Sequence, residues 1–405
     1  GTGVDVADAN SDEENSSEVG VDYTNPASMA CMMSSNPQEL GIRTLQGNYP
    51  KVAIDGDKAV VATGSGYIVF FELNPIANEW ERTEVFGLML NVGEVNSVAI
   101  SGNVAVVGAP DASTNISDEE PLKTGAVFIY EYDDKIQEWR QKKGAYIPDD
   151  YKRSTINTYD EAKFGTDVDV YGDFLVVGAP EENTNRGSIT IFHRDADVDE
   201  WVEVERLEPE SLCGAEYFGY TVSIYEDVVA ASADCDVNIV LYKTQKDSGS
   251  GDINVIQFQN MEYVDPKFGA VSSFDMSWDN LVYSTVSGGL FFWRRANKDK
   301  RYLESQEMSF EVPIDVNLYE YPVSMNANMA VLSVEKDIFM YTLDPSSQEW
   351  KKEAMQLESN GDYAGYVGAS VALSNGRLLA ADKREVNAHD FSGCVLTEEE
   401  FAEPS

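Results

Sequence analysis

Asp195, Asp197 and Asp199 occupy alternate positions just ahead of Glu200-Trp201, and alternate carboxylates in a loop can converge on a hard, oxygen-seeking cation such as Ca²⁺. Such loops turn sharply at a glycine, and Glu200-Trp201 stands where that glycine would be wanted. The run therefore reads either as a Ca²⁺ site or as a solvated hairpin. Other chemistry is thinly furnished. The two histidines, His193 and His389, lie far apart in the chain and belong to no local metal motif. The sequence contains no G-x-S-x-G elbow, no H-E-x-x-H helix and no Gly-rich phosphate loop. Carboxylate pairs for glycoside hydrolysis single nothing out among 71 acidic residues. Apart from Ca²⁺, no cofactor is expected.

Four cysteines, Cys31, Cys213, Cys235 and Cys394, are even in number and permit three ways of forming two disulfides. Asn15 and Asn115 head the glycosylation tripeptides Asn15-Ser16-Ser17 and Asn115-Ile116-Ser117. Gly1 opens into polar sequence without an initiator Met, which is read as a processed chain. Together these favour a secretory route. Four free thiols in a reducing compartment are the competing reading.

Charge narrows the partners. The chain of 405 residues carries 71 acidic against 29 basic residues, a formal −42. Such a field repels nucleic acid and anionic membrane surfaces and suits cations, basic partners or plain solubility. No apolar run approaches the ~20 residues needed to cross a bilayer. With 43% hydrophobic and 11% aromatic residues, most of the chain packs a core.

The elements that would position any site come from a repeat. Val52-Ala53-Ile54, a turn at Asp55-Gly56-Asp57 and Ala59-Val60-Val61-Ala62 are followed by Tyr67-Ile68-Val69-Phe70-Phe71 and Asn78-Glu79-Trp80. The pattern returns from Ser97 to Trp139, from Phe164 to Trp201, from Phe218, from Phe268, from about Tyr321 to Trp350, and from Val367. One landmark per unit, Val60, Val106, Val176, Val229, Val282, Val331 and Leu379, gives a period of about 46 to 70 residues, which suits a blade of four short antiparallel strands. Gly-Asp and Gly-Asn turns supply the positive φ of tight hairpins. The recurring Trp is placed to fill the gap between neighbouring blades.

Phe164-Gly165 followed by Gly178-Ala179-Pro180, with Gly108-Ala109-Pro110, Phe218-Gly219 and Phe268-Gly269 as partial copies, resembles the FG-GAP repeat of integrin α-chain heads. That resemblance implies a seven-bladed propeller used in extracellular interaction or adhesion. The integrin-type calcium loop between the first two strands is not matched, because Asp55-Gly56-Asp57, Gly102-Asn103 and Gly172-Asp173 are too short to wrap an ion.

The expectation is an all-β, seven-bladed propeller over residues 41–398, an acidic extended arm over 1–40 and a C-terminal tail over 399–405. Residues 41–47 are expected to close the ring as the outer strand of the last blade. That closure would bring Cys31 near Cys394, and Cys213 would pair with Cys235 across one hairpin. The function expected is a secreted or cell-surface interaction module, a component of an extracellular assembly that docks protein, itself, matrix or glycan through its faces and arm. The competing expectation is a propeller-type hydrolase or lyase acting on extracellular polysaccharide. Acids, His and Tyr converging at the channel mouth would favour the enzyme, and a channel lined by small apolar residues would favour binding.

Overall fold

The computed structural model describes residues 37–42, 49–64, 66–88, 93–113, 123–142, 146–148, 161–209, 217–232, 237–247, 251–262, 269–296, 300–312, 321–334, 337–358, 370–381 and 385–391. Their 28 strands form seven antiparallel sheets of four, one for each sequence repeat. The inner strands of blades 1 to 7 are Lys51–Asp55, Ser97–Ser101, Val168–Tyr171, Val222–Tyr225, Val271–Ser277, Val323–Asn326 and Ser370–Ser374. Each packs beside the next, and that of blade 7 packs beside that of blade 1. The architecture is a closed seven-bladed β-propeller.

The seven landmark residues all lie in second strands and are at most 1% exposed. A second strand is hydrogen-bonded on both edges and covered on both faces by adjacent blades, which is why it reads as an unbroken apolar run. The turns before it use Gly56, Gly102 and Gly172 at φ 58°, 55° and 57°. Trp139 of blade 2 stacks on Phe70 of blade 1 at 4.3 Å, and Trp350 of blade 6 on Phe292 of blade 5 at 4.5 Å. The repeated Trp thus fills the inter-blade gap.

The Phe-Gly and Gly-Ala-Pro pieces of the repeat lock together. Phe164 and Phe218 are fully buried. Their neighbours Gly165 and Gly219, at φ +90° and +83°, press against the glycine of the preceding blade's second strand. A Cβ on Gly108 would stand 2.2 Å from the Gly165 carbonyl oxygen, and one on Gly178 would stand 1.9 Å from that of Gly219. Only glycine permits this approach.

The last blade is an antiparallel sheet built from both ends of the ring; of the expected closing strand 41–47, only Gly41 and Ile42 are described, and neither lies in a strand. The outer strand of blade 7 is Gln38–Glu39, paired with Ala388 and Asn387, and the Leu40 N–H continues the ladder to the Val386 carbonyl at 2.9 Å. Gly41 then adopts φ +65°, a left-handed conformation that ends the ladder where the expected strand would begin. The ring therefore takes in Gln38 and Glu39, which the sequence reading assigned to the arm.

Candidate functional site: the axial channel and the blade junctions

The inner strands surround an axial cavity of about 350 Å³. An inner strand pairs with its own blade along one edge only, so its other edge carries N–H groups that need acceptors. Side chains of the preceding blade supply them. From blade 7, Ser370 and Ser374 accept from the N–H groups of Val52 and Gly56, and from blade 1 Asp55 accepts from Gly102. Asp167 and Asp169 of blade 3 accept from Val222 and Ile224 at 2.8 and 2.7 Å. Asp275 of blade 5 accepts from Met325 at 2.8 Å, and Ser324 and Asn326 of blade 6 accept from Leu373 and Asn375.

Four of these acceptors are carboxyls that line the channel, and three of them, Asp167, Asp169 and Asp275, also accept from serine hydroxyls. Asp167 accepts from the Ser97 hydroxyl at 2.6 Å, Asp169 from Ser223 at 2.9 Å and Asp275 from Ser324 at 3.1 Å. Burial pushes Asp167 and Asp275 up to about 6 and Asp169 up to about 8, the last also repelled by Asp275. The backbone and serine donors oppose the shift without cancelling it. Toward one end of the channel Tyr171 and Tyr225 lie 4.7 Å apart, and burial raises the Tyr225 phenol. The wall is therefore polar, unlike the apolar channel expected for a binding module. Its acid and Tyr groups lack the histidines expected for the enzyme. His193 lies in the third strand of blade 3, 4.9 Å from the Phe174 ring, and His389 lies in the third strand of blade 7, its pKa lowered to about 4 by burial.

A second set of junctions runs along the rim. Gln38 of blade 7 donates its amide to the Trp80 carbonyl at 2.8 Å and accepts the Trp80 N–H at 2.6 Å. Gln259 treats Tyr302 in the same way, and Gln306 treats Trp350. Each is an outer-strand glutamine gripping the backbone at the next blade's outer strand. Neither this clasp nor the channel carboxyls were singled out from sequence. The signals were present: Gln stands 42 to 44 residues ahead of an aromatic residue in each clasp, and Asp167-Val168-Asp169-Val170 places acids at alternate positions of an apolar strand.

The aspartate triplet sits in the hairpin before Trp201. Asp195 Oδ1 accepts the Asp197 N–H at 2.9 Å, and Asp199 is held by Lys142 and Arg194, both at 2.9 Å. Asn74, Asp133 and Asp344 make the same turn contact as Asp195 in blades 1, 2 and 6. Among the described residues no group of three His, Cys, Asp or Glu side chains is arranged to hold a metal ion. Cys31, Cys213, Cys235, Cys394, Asn15 and Asn115 lie outside the described residues.

The class defined by this geometry is the seven-bladed β-propeller with side-chain clasps between blades. No protein-family profile and no curated protein matches the sequence. Among solved structures the chain is similar to a functionally unknown protein from Desulfotomaculum acetoxidans DSM 771, at 12% identity over 77% of this chain and 87% of that one, with a TM-score of 0.51. It is also similar to U3-55K, at 10% identity, 88% and 99% coverage and a TM-score of 0.54. The WD40 repeats of RRP9 match at 10% identity, 88% and 98% coverage and a TM-score of 0.55. At such identities the likeness is one of fold.

Proposed function

We propose that this propeller is a protein-interaction module of the FG-GAP type that works outside the cell or at its surface. The observation that carries the reading is the channel wall. Its carboxylate and serine groups accept hydrogen bonds that join consecutive blades, so the axis serves cohesion and contact falls to the loops and rim. Propeller discs commonly mediate protein interaction. The interlock of Phe164-Gly165 and Phe218-Gly219 with the preceding blades' Gly-Ala pairs gives the FG-GAP resemblance a physical use in blades 2 to 4. The acidic arm would add an extended docking segment, and the formal −42 favours a basic partner.

Secretion rests on the cysteines and sequons. The test of the function is native mass spectrometry of the protein isolated from its own extracellular material. A stoichiometric complex with another protein supports the reading. A free propeller that shortens polysaccharide chains would replace it with the hydrolase or lyase alternative.

A further inference from the structure

Five-residue turns join the third and outer strands of blades 1, 2, 3 and 6: residues 74–78, 133–137, 195–199 and 344–348. Their geometry depends on two positions. The first residue, Asn74, Asp133, Asp195 or Asp344, accepts an N–H from the third at 2.8 to 3.0 Å. The fifth, Asn78, Gln137, Asp199 or Gln348, adopts φ between 51° and 59°. The third and fourth positions are free of any such demand, and blade 6 fills them with Ser346 and Ser347. Blades 1 to 3 place an aliphatic side chain there instead. Ile76 is 97% exposed, Val198 60% and Ile136 41%.

Turn tips favour polar residues because nothing covers them, and blade 6 shows that this turn needs no aliphatic group. The three aliphatic tips belong to consecutive blades and project from the same end of equivalent hairpins. Their surroundings are acidic: Glu79, Glu138, Asp197 and Glu200 are exposed beside them. Of the nearby cations, Lys142 and Arg194 are paired with Glu131 and Asp199, and Lys135, exposed beside Ile136, is outnumbered by these carboxylates.

We propose that the tips of blades 1 to 3 form a docking strip for a basic, amphipathic segment of a protein partner, with Ile76, Ile136 and Val198 entering its apolar side and the flanking carboxylates meeting its Lys and Arg side chains. The proposal rests on the interaction reading above and assigns its face. An apolar tip alone would also suit a lipid surface, but the carboxylates beside these tips oppose an anionic bilayer.

The probe is a synthetic 18-residue helix with leucine on one face and lysine on the other, titrated against the full chain and against Ile76→Ser/Ile136→Ser/Val198→Ser. Binding at least 10-fold weaker in the variant, with an unchanged Tm, supports the strip. Equal binding by both proteins, or an equally strong response to the same helix with serine in place of leucine, overturns it. Should the triple variant lose its Tm, Ile76→Ser alone is used, with a weakening of at least 3-fold as the criterion. Vesicles containing phosphatidylserine are the second arm, and binding that the serine substitutions abolish would overturn the proposal in favour of a membrane. A native complex that survives the substitutions removes the strip but leaves the interaction module standing. The absence of any protein complex removes the module itself.

Discussion

Replacing Asp169 with Asn should flatten the dependence of stability on pH between 6.5 and 8.5. Burial and Asp275 hold the Asp169 carboxyl near 8 in place of its ordinary 3.8. A raised carboxyl keeps its proton in the folded ring after the unfolded chain has lost it. Its contribution to stability is therefore full below the unfolded value and is lost as pH rises through about 8. At about 1.4 kcal/mol per pH unit, a shift of this size corresponds to a loss on the order of 5 kcal/mol across the whole range. Asp169 lines the open axial channel and is half-buried, so screening reduces the loss, and roughly 2 kcal/mol is expected.

The window follows from the other groups. His389, lowered to about 4, adds stability that is complete above its ordinary 6.5 and is lost as pH falls through 4, which tilts the curve in the opposite direction below 6.5. Asp167 and Asp275, near 6, act with the sign of Asp169 but finish earlier. Asp344, held near 2 by Lys351 and backbone N–H groups, titrates far below the window. Urea midpoints at pH 6.5, 7.5 and 8.5 then isolate Asp169. The wild-type ring should weaken with rising pH and Asp169→Asn should stay level, since the Asn oxygen can still accept from Ser223 and Ile224. If the variant folds poorly, Asp275→Asn serves, because removing its charge should move the wild-type slope to lower pH. A variant with the wild-type slope, or a wild type that gains stability with pH, would refute the reasoning.

Gly178→Ala should destabilise the ring by about 3 kcal/mol or more, since its Cβ would stand 1.9 Å from the Gly219 carbonyl oxygen and backbone must shift to admit it; chemical denaturation reads the loss. Gln38→Ala should remove both bonds to Trp80, worth about 1 to 3 kcal/mol, and hydrogen exchange should quicken at Trp80 and along Val386–Asp390 while blade 4 keeps its protection. Peptide mapping without reductant should find Cys31 joined to Cys394 and Cys213 joined to Cys235, and four alkylatable thiols in the native protein would end both the pairing and the secretory reading.

What the sequence disclosed and what it hid follow one physical division. Second strands such as Val104–Ala109 and Phe174–Ala179 are buried on every side, so apolarity alone announces them, and their count gave the seven blades. Gly56, Gly102 and Gly172 announce the first hairpins of blades 1 to 3, whereas blades 4 to 7 place Glu226, Trp278, Ala327 and Asn375 at the same position with φ of 47° to 55° and give no such signal. The junctions between blades obey no such local rule. Asp169 and Ile224 are 55 residues apart and Gln38 and Trp80 are 42 apart, and each contact is visible only once the blades are set side by side. The same division explains the aspartate triplet. Read alone, Asp195-x-Asp197-x-Asp199 has metal spacing; read against residues 74–78, 133–137 and 344–348, its first member is the turn-forming residue and its last is the left-handed one. The closing strand was displaced for a related reason, because a two-residue pairing at Gln38–Glu39 has no period to detect and is fixed by Gly41 on one side and the Gln38 clasp on the other. In a ring built from repeats, a residue gains meaning from its counterpart one blade away. By that comparison Ile76, Ile136 and Val198, set beside Ser346 and Ser347, are the residues that the fold does not require.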